Sequence, residues 1–267
     1  NTIPDEVMAD HPSRYRAMII ESGNPVHSLP DSPKWRQAMR VLECSVVIDI
    51  AMTETAREAD YVLPATTQLE KAEATFFNFE FPENYFHVRA PLFAAPDGVL
   101  DEAEIHARIT EALGGIPEGI VAELNSALIE GGREAFRNIV FKKLGEDPTL
   151  GRIAPVLLYR TLGKTLSNMQ NAAAVWAVCH QHAMAKRTSV EAAGITGEGM
   201  DLGDNLFDAI IYAPSGVVIS KEDWSDIWSR VPGGTINFDL PDMLSAAANL
   251  NAEEPQETSL EFPFLMS

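Results

Sequence analysis

Three short apolar runs rich in β-branched residues, at 15–21, 46–50 and 59–64, alternate with segments of helical spacing. Strand, loop, helix, strand, short helix, strand is the order that builds a parallel sheet. From Pro117 to about Gly194 the spacing is helical almost throughout, with breaks near Gly131-Gly132 and Asp147-Pro148. The class these observations predict is α/β: a Rossmann-like three-layer domain on a parallel sheet, plus a mainly helical insert.

Tyr15-Arg16-Ala17-Met18-Ile19-Ile20-Glu21 reads as the first strand. It runs into Ser22-Gly23-Asn24-Pro25, where glycine permits close backbone approach or positive φ and proline ends the extension. Ser32 and Pro33 form an N-cap and first helical residue, opening a helix to about Glu43 with Trp35, Ala38, Met39 and Leu42 on one face. Val46-Val47-Ile48 is too short and too β-branched for a helix, and it ends in the carboxylate of Asp49 followed by hydroxyls. Thr53 is placed as an N-cap, and Thr55 with Glu58 fits the Ser/Thr-x-x-Glu capping pattern. Ala59 to Pro64 is the third strand.

Beyond Pro64, residues 65–71 form a polar connector, and Phe76, Phe77, Phe79, Phe81 and Phe86 crowd an irregular stretch. Such a cluster reads as pinning a loop to the core ahead of stacking a ligand. Asp101-x-x-Glu104 opens an amphipathic helix that ends at Gly114-Gly115. Inside the helical stretch, Cys179-His180-x-His182 invites a metal reading, but helical positions two apart point roughly 200° from one another. They cannot share one ion, so a packed or solvent-facing pair is expected. Further on, the pattern predicts a helix at 205–212, a strand after Ser215-Gly216, a helical turn at 223–230, a strand at 234–238 and a helix at 239–250. The domain organisation expected is therefore 1–116 α/β dinucleotide-binding, 117–200 helical insert, 201–250 a return segment packing on the α/β domain, and 251–267 a linker opening a further C-terminal domain. Asn1 in place of a Met and the strand-like run at 262–267 suggest an excised piece of something longer.

Composition narrows the function classes. The 267 residues, 46% hydrophobic and 22% charged, are those of a soluble globular protein. No apolar run approaches the roughly eighteen residues that span a bilayer, and no signal-peptide pattern opens the chain. A cytoplasmic setting without membrane insertion is the expectation. A net charge of −19 repels nucleic acid. Cys44 and Cys179 sit in apolar surroundings and give neither a disulfide framework nor an iron–sulfur motif.

The loops 22–27 and 49–55 come after successive parallel strands and should lie side by side, where open α/β sheets bind ligands. Backbone amides at 22–24 and 53–55 suit a phosphate or another anion. The carboxylate of Asp49 suits a pair of donors such as the ring N–H and amino group of guanine. One pocket would then hold both halves of a nucleotide. The other role open to Asp49 and Thr53 is closing the turn.

The order of these pieces resembles the third domain of the molybdopterin oxidoreductases of the dimethyl-sulfoxide-reductase type, which include formate dehydrogenases and nitrate reductases. Gly23-Asn24-Pro25 after a strand, Asp49-Ile50-Ala51-Met52-Thr53-Glu54-Thr55-Ala56, and Ala59-Asp60-Tyr61-Val62-Leu63-Pro64-Ala65-Thr66-Thr67-Gln68-Leu69-Glu70-Lys71 carry the resemblance, at that family's spacing. Weaker likeness continues through 86–91, 101–105, 208–218, 233–236 and 262–267, while 117–200 has no counterpart. The resemblance implies binding of one of two molybdopterin guanine dinucleotides, with molybdenum or tungsten. Asp49 would then accept from guanine with Thr53 beside it, the loop from Ser22 through Gly23, Asn24 and Pro25 would lie along the dinucleotide, and Thr55 would belong to the same site. It implies no catalytic residue and no metal ligand in this stretch. The iron–sulfur cysteines and the molybdenum ligand belong to domains before it.

Two departures stand out. The family's Gly after the Glu-Lys pair and its Asn-x-Glu-x-Arg run are replaced by Lys71-Ala72-Glu73-Ala74 and Phe77-Asn78-Phe79-Glu80-Phe81. The partners implied are the remaining domains of the same chain, an electron-transfer partner and a small-molecule substrate, among which formate, nitrate and a sulfoxide stay open. The stretch alone is expected to be inactive. Two other readings stand beside this one: a non-catalytic structural relative, as in the large iron–sulfur subunit of NADH dehydrogenase, and a free-standing nucleotide-binding α/β protein.

Overall fold

The N-terminal apolar runs form a parallel three-stranded sheet in the order β1-β2-β3. The computed structural model describes residues 2–74 and 80–250, divided into two units, Asn1–Lys221 and Glu222–Ser267. Phe76, Phe77, Phe79 and the expected linker at 251–267 lie outside the described residues.

The first unit opens with α1 (Ile3–Met8) and β1 (Ala17–Glu21), then one turn, α2 (Pro25–Ser28), and α3 (Ser32–Val41). β2 (Cys44–Asp49), a 3-10 turn at Ala56–Glu58 and β3 (Tyr61–Pro64) complete the sheet. Ile19 pairs with Val46 and Val46 with Tyr61, so these three share one sheet face while Met18, Ile20 and Val47 share the other. Met18 and Ile20 pack on Val7, Val26, Trp35, Ala38, Met39 and Leu42 from α1, α2 and α3. Val46, Ile48 and Leu63 pack on Ile105 and Ile109 of the opposite layer. Helices thus cover both faces, and the fold is α/β.

Local chemistry differs from expectation at two caps. Asp31 rather than Ser32 caps α3: its backbone is left-handed at φ 66°, and its carboxylate accepts from the Lys34 amide at 3.2 Å. The Thr55–Glu58 capping box does not form, because Glu58 pairs instead with Arg36 and Arg40 at 2.9 and 2.8 Å. Thr53 does cap, its hydroxyl accepting from the Ala56 amide at 3.2 Å.

After β3, Ala65 bridges Leu100, and three short strands come next: β4 (Glu73–Ala74), β5 (Glu83–Phe86) and β6 (Val88–Arg89), with β4 and β6 antiparallel. α4 (Glu102–Ala112) is the layer carrying Ile105. Asp101 caps it, accepting from the Glu104 amide at 2.6 Å, and Gly114 at φ 67° ends it, as the pattern predicts.

The helical stretch begins with α5 (Ile120–Glu146), which kinks at Gly132 (φ 66°, ψ −161°), and Asp147 then caps a 3-10 turn at Pro148–Arg152. Both breaks fall where the sequence puts them. α6 (Ala154–Arg160), two further 3-10 turns, α7 (Val175–Ala185), α8 (Arg187–Ala192) and α9 (Asp201–Ile211) complete it. Their main core holds Leu124, Phe136, Leu162, Trp176, Leu202, Leu206 and Phe207, each 2% exposed or less. β7 (Val217–Lys221) pairs antiparallel with β5.

His180 is 2% exposed, its Nε2 3.3 Å from Asp204 Oδ1, which also accepts from Trp176 Nε1 at 2.7 Å. Arg137 holds the other carboxylate oxygen. It is a packed histidine, and the described residues contain no group of three or more His, Cys, Asp or Glu that could hold a metal ion. Nor is any helix among them long and apolar enough to cross a membrane.

In the second unit, α10 (Trp224–Arg230) is capped by Asp223, which accepts from the Ser225 amide at 2.8 Å, and α11 (Pro241–Leu250) is the last described helix. The strand expected at 234–238 is absent. Gly233 and Gly234 take left-handed φ values of 68° and 66° in a turn, and no strand among the described residues pairs with residues 235–238.

Candidate cofactor-binding site

Parallel pairing brings the carboxyl ends of β1 and β2 to one edge of the sheet, and two turns are joined there. Ser22 donates its amide to Ile48 O at 3.0 Å and adopts φ 51°, a left-handed conformation that a non-glycine residue holds only under local constraint. Of the two roles open to the glycine, close backbone approach or positive φ, the positive φ belongs to its neighbour. A Cβ placed on Gly23 would meet Glu21 O and Ile20 Cγ2 at an ordinary 3.6 Å.

Asn24 links the loops. Its Oδ1 accepts from the Thr55 amide at 3.1 Å and the Thr55 hydroxyl at 2.8 Å, while its Nδ2 donates to Glu54 at 2.7 Å. Thr55, fully buried, accepts from the Val26 amide through the same hydroxyl at 3.1 Å. The hydrogen bond from the Asn24 side chain holds the Glu54 carboxyl below its usual range, helped by Glu54's own backbone N–H. Sequence reasoning missed Glu54. Its only signal was its place between two hydroxyl residues.

Two amide sets were expected to face an anion, and they differ. Thr53 donates to Ala51 O and Thr55 to Asn24, so those amides are engaged within the turn. Among the described residues, the amides of Gly23 and Asn24 donate to no protein acceptor. Both amides are left available to an acceptor.

Asp49 ends the central strand, half-buried, opposite Pro64. Its Oδ1 accepts from the amides of Ile50 at 2.7 Å and Ala51 at 3.3 Å. Oδ2 takes no hydrogen bond among the described residues, and the flanking Ile50 and Met52 are 63% and 57% exposed. Both roles weighed for Asp49 are therefore open to one carboxylate: one oxygen closes the turn, and the other is left for a donor beside exposed apolar side chains.

Beside Ser22 lies a cleft of about 410 Å³, lined by Glu21, Ser22, Lys71, Glu102, Asn171 and Val175 among others. Its cation is matched, Lys71 pairing with Glu102, and Glu21 meets His106.

Residues 3–91, which contain every part of this site, match the model of the molybdopterin oxidoreductase family. They belong to that family. This molybdopterin oxidoreductase segment is 36% identical over 72 residues to the probable oxidoreductase YyaE of Bacillus subtilis, covering 27% of this chain and 11% of that one. It is 40% identical over 79 residues to the F420-dependent formate dehydrogenase subunit alpha of Methanocaldococcus jannaschii, 30% of this chain and 11% of that one. A third relative, the trimethylamine-N-oxide reductase of Vibrio vulnificus, is 42% identical over 57 residues, 21% of this chain and 7% of that one. The molybdopterin oxidoreductase segment thus spans about a tenth of the length of its curated relatives.

Proposed function

We propose that this chain holds the guanine dinucleotide form of molybdopterin for a molybdenum- or tungsten-dependent oxidoreductase. The reading rests on Asp49, a carboxylate at the carboxyl end of the central strand with one oxygen tied into its own turn and the other unpartnered among the described residues. A guanine ring N–H and amino group are the complementary donors. Ile50 and Met52 offer exposed apolar surface for the ring beside it.

The free amides of Gly23 and Asn24 receive the anionic part of the dinucleotide, with Ser22 and Pro25 fixing the path of that loop. Thr53 shapes the Asp49 turn, and Thr55 with Asn24 keeps the two loops in register. When bound, the cofactor supplies the redox chemistry; the residues here bind and orient it. Other domains of a longer chain complete the cofactor cover, hold any iron–sulfur cluster and set the substrate, so this stretch is inactive alone. We place the protein in the cytoplasm.

The test is metal and nucleotide analysis of the cofactor-loaded parent enzyme carrying Asp49→Asn. Asn keeps an oxygen for the turn and replaces the free acceptor by a donor. Molybdenum or tungsten and acid-released GMP should fall together, while parent and variant freed of cofactor melt alike. Normal loading in the variant would refute the assignment, and a parent with neither metal nor GMP would favour the non-catalytic relative.

A further inference from the structure

The Asn24 side chain is committed on both sides. Its Oδ1 takes the Thr55 amide at 3.1 Å and the Thr55 hydroxyl at 2.8 Å, filling both lone pairs of a carboxamide oxygen. Its Nδ2 turns the other way and donates to Glu54 Oε2 at 2.7 Å. What the residue keeps for a ligand is its main-chain N–H and one amino hydrogen.

A carboxamide fits its socket either way round, with oxygen and nitrogen exchanged. Here the reversed fit would set an NH2 against the Thr55 N–H and an oxygen against the Glu54 carboxylate, donor to donor and acceptor to acceptor. The Thr55 hydroxyl is itself pinned, accepting from the Val26 amide at 3.1 Å. An ionised carboxylate has no hydrogen to offer, so Glu54 admits one orientation only.

Charge matching does not account for Glu54. Half-buried, with the side chains of His27 and Arg57 beside it, it brings a negative charge to a loop proposed to receive an anion, in a chain of net charge −19. Its charge opposes the ligand, and what it offers in favour is geometric: an acceptor at a fixed place.

We propose that Glu54 is a positioning residue for the cofactor. By accepting from Nδ2 it locks Asn24 in the orientation that ties the loop after β1 to the loop after β2, and so holds the Gly23 and Asn24 N–H groups where the anionic part of the dinucleotide meets them. This role rests on the dinucleotide lying at this edge. It requires the acceptor and not the charge.

The experiment follows the loss of metal and GMP from the cofactor-loaded parent enzyme during dialysis, at a temperature where each cofactor-free variant is still folded, so that loss reports the site and not unfolding. Glu54→Gln keeps an acceptor without the charge and should hold the cofactor at least as long as the parent. Glu54→Ala removes the acceptor and should lose it about tenfold faster, and Glu54→Met serves if the alanine variant does not fold. Asn24→Asp sets two carboxylates face to face and should also lose it about tenfold faster. Asn24→Asp combined with Glu54→Gln reverses donor and acceptor, and should restore slow loss. Loss from Glu54→Gln as fast as from Glu54→Ala, a double variant no better than Asn24→Asp, or one rate throughout would overturn the positioning role while leaving the dinucleotide assignment standing. A parent without GMP would overturn both.

Discussion

Asn24 and Thr55, thirty-one residues apart in sequence, are joined by two hydrogen bonds of 2.8 and 3.1 Å across the carboxyl edge of the sheet. Through this contact the loop after β1 sets the position of the loop after β2. Thr55→Val keeps the volume and removes the hydroxyl, leaving the buried Val26 amide without its acceptor. The expected loss is about 1–3 kcal/mol, read by urea denaturation. An unchanged midpoint would mean that backbone pairing alone sets the loop spacing.

The sheet was legible because β-branched runs and a parallel order leave few arrangements. So was the adjacency of the two loops, since successive parallel strands end at the same edge. The hydrogen bonds inside those loops were not. Thr55 and Glu58 carry a capping pattern, yet the arginines of α3 take Glu58 and Asn24 takes Thr55. Both partners come from distant sequence, so no local pattern announces them. The same holds for His180, whose spacing from His182 excludes a shared ion but says nothing of Asp204 on α9. The strand expected at 234–238 failed for a local reason: the Gly-Gly pair before it takes the left-handed turn that glycine alone adopts freely.

Ser22 tests whether strain at the loop is stored. At φ 51°, Ser22→Gly relieves about 1–2 kcal/mol of left-handed backbone strain and loses about 0.5–1 kcal/mol to unfolded-state entropy. The two nearly cancel, so the variant should melt within a few degrees of the parent. Ser22→Val adds β-branching to the same conformation and should melt clearly lower. Equal melting of the valine variant would show that the loop rearranges freely.

Gly203 in α9 is required by the ring beside it. A Cβ there would stand 2.2 Å from His180 Nδ1 and 2.6 Å from its Cγ, distances that no rotamer of the packed ring relieves cheaply. Alanine favours a helix over glycine by about 1 kcal/mol, so propensity alone predicts stabilisation. Overpacking costs about 1–3 kcal/mol or more, and Gly203→Ala should therefore destabilise. Calorimetry decides between them: a raised melting temperature would mean that His180 moves aside without loss.

Acid should unfold the chain partly through Asp204. Burial pushes its carboxyl up, but hydrogen bonds from His180 and Trp176 and the charges of His180 and Arg137 outweigh burial and leave it below the usual carboxylate range. A carboxyl depressed on folding contributes stability that is complete above its unfolded value, about 4, and is lost as pH falls through the folded value. Asp204→Asn removes that contribution and leaves Arg137, only 8% exposed, with Asp201 as its remaining carboxylate. At neutral pH the variant should lose about 3–5 kcal/mol, as breaking one side of a buried pair does. The gap between parent and variant should narrow as pH drops below about 4. Measured by denaturant titration from about pH 7 to about pH 3, a gap that stays constant would show that Asp204 keeps the same proton affinity folded and unfolded, and that Arg137 draws its stability from Asp201.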